Sequence, residues 1–333
     1  MDRTTAEKEW LRRISGGKSA VSQRKPTSDQ TSDQSSSKPR PKPQPTAKKH
    51  GNGFGDIAGM EDLKQRVKEG FINVLQHRDL ADAYGIRPPS MLFYGPAGCG
   101  KTFFAEKMAE EVGIHFIKVV PDDLASTMVH GTQEKIGEVF KNAERHAPAL
   151  LFFDEFDAMV PRRTGNEYNQ HYDSEVNEFL CMLNHASDKG VYVLAATNHP
   201  ECIDKAVLRT GRIDELVYVD MPDHEARKSL FALELAKLPR EEDIDMDRLA
   251  HLTQGFNCSD INYIVKSAAR KKFNEAIGCG EHTLQNITQK QLEEIISGRS
   301  PSVSSRDLRE YQRVHREFSP KDRDGQPASI GFR

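Results

Sequence analysis

Short apolar runs alternate with helix-patterned stretches through the middle of the chain. Residues 91–94, 149–153 and 191–196 are apolar and of strand length, and 115–120 and 215–219 read as two further strands. Between them, 101–111, 134–146 and 174–185 carry apolar positions at helical spacing. That alternation predicts an α/β fold, a parallel sheet with helices on both faces. Ahead of the first strand, Leu63, Val67, Phe71, Val74 and Leu75 form a helical stripe, with Asp56 expected as a cap. Gly85-Ile-Arg-Pro-Pro ends that helix. After Met221-Pro222 the strand pattern stops. Helices are expected at 223–237, 246–254, 259–277 and 287–297, forming a small all-helical unit, and a last capped helix at 303–318.

The first fifty residues differ from the rest. Trp10, Leu11 and Ile14 would share one side of a short helix, read either as a docking peptide or as a fraying end. Residues 17–52 are Ser, Gln, Lys, Pro and Thr with almost no large apolar side chains. Such a composition buries too little surface to offset chain entropy, so a disordered linker is expected. The expected organisation is a tail at 1–52, an α/β unit at 53–222, a helical unit at 223–300, and a final helix with a loose polar end at 301–333.

Charge sharpens this division. The 333-residue chain has a formal charge of −3 and 37% hydrophobic residues. Residues 1–50 hold 12 Lys/Arg and 5 Asp/Glu, so the tail is basic and the remainder acidic. The five cysteines are scattered without a C-x-x-C pair, which suggests reduced thiols and a cytoplasmic location. No apolar run approaches the roughly 20 residues needed to span a bilayer, no signal peptide is visible, and no H-E-x-x-H zinc pattern is present.

The chemistry centres on Gly95-Pro96-Ala97-Gly98-Cys99-Gly100-Lys101-Thr102, which satisfies G-x-x-x-x-G-K-[ST] between a strand and a helix. Glycines let backbone N–H groups converge on phosphate oxygens, and the helix start adds its dipole. Lys101 supplies a point charge at the phosphates, and the Thr102 hydroxyl can ligate Mg²⁺. By chance the pattern arises in about one chain in a hundred of this length.

Further along, the strand at 149–153 delivers Asp154-Glu155 to its C-terminal end, where open α/β sheets bind ligands. Asp154 suits a Mg²⁺ ion held through water, and Glu155 suits polarising an attacking water. Taken alone, the pair reads equally well as a helix-start carboxylate pair. Asp157 fits a structural or capping role. Asn198 ends the next strand, where an amide would orient water or touch the γ-phosphate, although Thr-Asn-His-Pro is also a turn signal. Cys99 sits at a helix start, a position that tends to lower a thiol pKa. A redox-sensitive nucleotide loop and a silent cysteine both remain open.

The ordered set Gly95–Thr102, Asp154-Glu155, Asn198, Arg209 and Arg212 resembles the AAA ATPase family, the classical clade within AAA+. The likeness runs from about Phe54 to Ile296 and includes Asp56-Ile57-Ala58-Gly59 and Gly255-Phe-Asn-Cys-Ser259-Asp260. It implies a P-loop NTPase sheet followed by a helical lid, ATP and Mg²⁺ as cofactors, and a homo-hexameric ring with nucleotide between subunits. Arg209 and Arg212 would then be arginine fingers for the neighbouring site. The segment around Asp56, Ile57 and Ala58 would line the adenine pocket, with Phe103, Gly255 and Ser259 close to the nucleotide. The sensor arginine of other AAA+ clades is absent from 255–260, as is usual in this one. Aligning Gly131-Thr-Gln-Glu-Lys on the family pattern places Val129-His130-Gly131 at the substrate-threading loop, without the usual aromatic grip. A second pore-facing loop would span 162–172, with Arg162, Arg163, Tyr168 and Tyr172.

Three functions stay open at this level. One is a remodeller of proteins whose tail recruits substrate or adaptor. Another is a nucleic-acid motor whose tail contacts phosphates. The third is a nucleotide-gated scaffold, disfavoured because each hydrolytic position is filled.

Overall fold

The computed structural model describes residues 51–125, 131–162, 170–209, 211–278 and 284–318. The docking-peptide and linker expectations for residues 1–50 lie outside that range.

In chain order the main elements begin with α1 (Glu61–Val67), which continues through a π turn (Lys68–Ile72) and a last helical turn (Asn73–Gln76). Then come β1 (Met91–Tyr94), α2 (Lys101–Val112), β2 (His115–Val119), α3 (Gly131–Arg145), β3 (Ala149–Phe153), α4 (Gln170–Ala186), β4 (Val191–Thr197) and β5 (Glu215–Tyr218). Five helices follow: α5 (His224–Leu235), α6 (Met246–Leu252), α7 (Cys258–Gly278), α8 (Gln289–Ser297) and α9 (Ser305–Phe318). The strands form one parallel sheet in the order β2-β3-β4-β1-β5. The α/β expectation therefore holds, and so does the helical run after it. Two helices depart noticeably: α3 starts three residues earlier, and α4 four residues earlier, than the apolar spacing suggested.

Side chains alternate across the sheet and create two cores. Leu92, Leu151, Phe153, Val193 and Ala195 face α3 and α4, where Phe140 and Phe179 fill the layer. The Phe153 and Phe179 rings meet edge to face, with centroids 4.9 Å apart. Phe93, Leu150, Phe152, Leu194 and Ala196 point the other way, onto Phe71, Phe104 and Met108. A strand covered on both faces must be apolar throughout, which is why β1, β3 and β4 show no polar alternation. Each large side chain buried this way contributes about 1.5–3 kcal/mol.

The helices after β5 have a core of their own, built on Phe231, Leu249, Ile261, Ile264 and Leu292. Their starts are set by side-chain caps. Asp223 accepts from Ala226 N, Asp245 from Arg248 N and Thr288 from Gln291 N. Buried Arg227 ties the crossing point to this core, donating to the Pro222 carbonyl at 2.8 Å and twice to Ala250 O.

Asp56 is not the cap of α1. Met60 holds that position in a left-handed conformation, with no side-chain hydrogen bond. Asp56 instead lies in a 3-10 turn and pairs with Lys107 of α2 at 2.9 Å. No helix among the described residues is long and apolar enough to cross a membrane.

Candidate active site

The parallel register places three strand ends side by side. Tyr94 of β1 lies opposite Thr197 of β4, and Phe153 of β3 lies opposite Ala195. The residues that follow, Gly95, Asn198 and Asp154, therefore emerge along one edge of the sheet. β1 is flanked by β4 and β5, so chain order changes direction there, which is where such sheets form a crevice.

The loop from 95 to 100 turns on left-handed glycines. Gly95 has φ +143°, and a Cβ there would lie 2.2 Å from the Val219 carbonyl oxygen. Gly98 has φ +77°, and a Cβ would meet the Asn257 amide at 2.5 Å. Both positions need glycine for conformation and for space. Lys101 is buried and folds back over the loop, donating to the Gly95 and Pro96 carbonyls at 2.8 Å each. Burial lowers its pKa to about 8, against the opposing pull of Cys99 and Asp154.

Thr102, in the first turn of α2, donates its hydroxyl to Asp154 Oδ2 at 3.1 Å. Lys118 of β2 lies 2.8 Å from the same oxygen, and Asp154 Oδ1 accepts from Glu155 N at 3.2 Å. The Thr102 and Asp154 oxygens form a hard donor pair, the chemistry magnesium prefers. Glu155 is exposed and adopts φ +53°, ψ +47°. That conformation costs a side chain about 1–2 kcal/mol. It turns the chain sharply at the end of β3, between Asp154 and the short helix Phe156–Met159. Asn198 is half-buried beyond β4. Asp157 pairs with the buried Thr197 hydroxyl, the structural role expected of it.

The helical elements reach the same loop. Asn257, the residue before α7, donates its amide to Ala97 O at 3.0 Å. Ser259 N donates to Gly98 O at 3.1 Å. Asn257 also accepts from Asp260 N at 2.8 Å, while Asp260 Oδ2 accepts from Asn257 N at 3.3 Å. This is a reciprocal cap, and the Asn-x-x-Asp spacing ahead of an apolar helix was a readable signal for it. Gly255 makes a left-handed turn between α6 and α7 at φ +83°.

On the opposite flank, Ile57 is buried in the α2 face of the sheet and Lys64 donates to its carbonyl at 2.7 Å. Ala58 is half-buried, and a Cβ on the adjacent Gly59 would lie 2.6 Å from Ala226 Cβ of α5. The segment thus runs between α2 and the helical elements. Phe103 is exposed, with the Lys107 ammonium 5.5 Å from its ring centre. The Lys107 ammonium holds the Asp56 carboxyl below its usual range, and the Asn52 amide adds to this.

Of the two readings of Cys99, the structure favours the silent cysteine. It is fully buried, and burial raises its pKa to about 12 despite the helix start. Cys258 is raised to about 11 in the same way. The thiolate needed for oxidation is therefore scarce at neutral pH.

Arg209 and Arg212 are not brought to the loop within the chain. The N–H groups of Asp214 and Glu215 donate to Ser90 O, just before β1, so the segment carrying both arginines enters the sheet at the end opposite the loop. Arg209 is exposed, and Arg212 donates to Ala206 O at 2.7 Å. Val129 and His130 lie outside the described residues, and Gly131 is the first residue of α3. Arg163 and Tyr168 also lie outside them, and nothing is described of the Tyr172 side chain.

One contact had no counterpart in the sequence reading. His315 of α9 shares a hydrogen bond with the Tyr94 hydroxyl at 2.9 Å and stacks on Tyr218, with ring centres 4.2 Å apart. The last described helix thus packs on the strand ends beside the phosphate loop.

Residues 91–221 match the family model "ATPase family associated with various cellular activities (AAA)". That span contains the loop, the acidic pair, Asn198 and both arginines. A "Cell division cycle protein 48 homolog" from Archaeoglobus fulgidus is 33% identical over 273 residues, covering 79% of this chain and 37% of the relative. A "Putative cell division cycle ATPase" from Plasmodium falciparum is 34% identical over 241 residues, covering 72% of this chain and 19% of the relative. The chain thus spans well under half the length of these two relatives. With the motif-bearing segment matched and a parallel sheet presenting it, the chain belongs to the AAA ATPase family.

Proposed function

We propose that the protein hydrolyses ATP with Mg²⁺ and uses the cycle to remodel proteins or protein complexes as a ring of identical subunits. The observation that carries this reading is the convergence of Thr102 Oγ1 and Asp154 Oδ2 beside a glycine-built phosphate loop, with Glu155 as the next residue. The loop N–H groups and Lys101 bind and orient the phosphates, for which Lys101 must release the Gly95 and Pro96 carbonyls. Thr102 and Asp154 would hold Mg²⁺, which supplies charge neutralisation at the phosphates. Glu155 accepts a proton from the attacking water, and Asn198 orients that water. Ile57, Ala58, Gly255 and Ser259 close around the base and ribose.

Arg209 and Arg212 would complete a neighbour's site. Their position at the far end of the sheet within their own chain favours that assignment. The name of one relative, a putative cell division cycle ATPase, favours ATP hydrolysis. Val129-His130-Gly131 is the candidate substrate loop, and the basic tail is the candidate adaptor-binding segment. The charge on residues 1–50 also supports a second reading, a nucleic-acid-associated motor.

The test is Glu155→Gln. It should retain ATP while turnover falls about 10²–10⁴-fold. Wild-type-like turnover would remove Glu155 as the base. The trapped protein, used as bait, should retain protein and not nucleic acid. Retention of nucleic acid that is lost on deleting the tail would establish the second reading. Adding Arg209→Ala subunits to wild type should lower turnover of the mixture below the weighted mean.

A further inference from the structure

β2 is an edge strand, and one cation stands on its α2-facing side beside the metal-binding oxygens. Lys118 pairs in register with Phe152 of β3, two residues before Asp154. Its Nζ lies 2.8 Å from Asp154 Oδ2, the oxygen that also accepts the Thr102 hydroxyl at 3.1 Å. An oxygen suited to face a magnesium shell thus already has two donors, one of them a full positive charge. Neither the phosphate-loop pattern nor the acidic pair requires a lysine at this place in the sheet.

We infer that Lys118 is a positioning residue that serves as an internal counter-ion of the metal site. It holds Asp154 against Thr102 while no divalent ion is bound, and it competes with Mg²⁺ for Oδ2. The inference rests on the magnesium–nucleotide reading of the site given above. Magnesium keeps most of its waters and binds carboxylates directly or through those waters. Either way, the ammonium must leave Oδ2 before the ion or its water can take that oxygen. Part of the affinity for Mg²⁺ is therefore lost in separating the pair. The lysine side chain is 43% exposed, so solvent screens the pair and its effect is moderate. A flexible four-carbon stem lets the ammonium swing away without moving β2.

The test titrates Mg²⁺ into the full chain with a fluorescent, non-hydrolysable ATP analogue. Lys118→Met should lower the Mg²⁺ concentration at half-saturation by about threefold to fivefold. Lys118→Arg, which keeps the charge, should stay close to wild type. High salt should shrink the difference between wild type and Lys118→Met. An unchanged or higher midpoint for Lys118→Met overturns the inference while leaving the site assignment intact. Analogue binding that is independent of Mg²⁺ in wild type overturns both. Thermal melting checks that the variants are folded, and Lys118→Gln carries the same test if Lys118→Met is not.

Discussion

The phosphate loop and the end of β3 occupy the same edge of the same sheet but are built in opposite ways. The loop is backbone. Its glycines sit where a Cβ would strike Val219 or Asn257, and its carbonyls are held by Lys101, Asn257 and Ser259. The end of β3 is side chain. Asp154 and Glu155 project from it, with one carboxylate oxygen shared by Thr102 and Lys118 and the other carboxylate exposed on a left-handed residue. A binding surface for a fixed anion gains from rigidity, because the backbone donors need no reorganisation when phosphate arrives, and only the Lys101 side chain has to turn. A group that must accept a proton and let it go again gains from access to water and from freedom to move. On the proposed function, the two halves of the site divide these demands between them.

That contrast can be broken at its rigid side first. Gly95→Ala should have the largest effect. It adds a methyl 2.2 Å from Val219 O at a φ that L-residues rarely adopt. A loss of about 2 kcal/mol or more in stability is expected, with nucleotide binding abolished, as read by denaturant melts and analogue titration. Asn257→Ala comes next. It leaves Ala97 O and Asp260 N without their partner. Stability should fall by about 1–3 kcal/mol and nucleotide affinity should weaken, while the sheet keeps its circular dichroism.

The smallest effect concerns pH. The Lys101 pKa of about 8 belongs to the nucleotide-free site, and a bound phosphate anion favours the protonated form. Binding above pH 8 must therefore take up a proton, so affinity should fall by as much as about tenfold per pH unit there. For folding the sign is opposite. The unfolded chain keeps this proton to about 10.4, so between about 8 and that value the group favours the folded state more as pH rises. An affinity that stays flat from pH 7.5 to 9.5 would show that Lys101 keeps its proton in the free protein.

How much of this was legible in the sequence follows from the same contrast. The strands could be read because burial on both faces leaves them apolar throughout, and the phosphate loop could be read because backbone geometry forces glycine at fixed spacing. The acidic pair was visible at the end of an apolar run. What stayed hidden depends on residues that meet only in space. Lys118 lies 36 positions from Asp154 and Asn257 lies 160 from Ala97, so no local pattern joins either pair. Asp56 was misread because its partner Lys107 sits on another helix. The choice between a redox-sensitive and a silent Cys99 could not be made from the sequence, because it turns on burial, which outweighs the helix start. Asn257 is the partial exception. Its capping spacing with Asp260 was readable, but its grip on the loop was not.

Asp260 also bears on how short this protein can be made. Its fully buried carboxylate accepts from Asn257 N, from Arg299 Nε and Nη2, and from Ser302 through both its N–H and its hydroxyl. Asn257 in turn holds Ala97. A chain cut after α8 would remove Arg299 and Ser302 and leave that buried charge to Asn257 N alone, two hydrogen bonds from the phosphate loop. The minimal nucleotide-binding fragment therefore extends past the last residue of the family match by some eighty positions, to Ser302 at least. Its C-terminal limit is set by a carboxylate that reaches the phosphate loop only through Asn257.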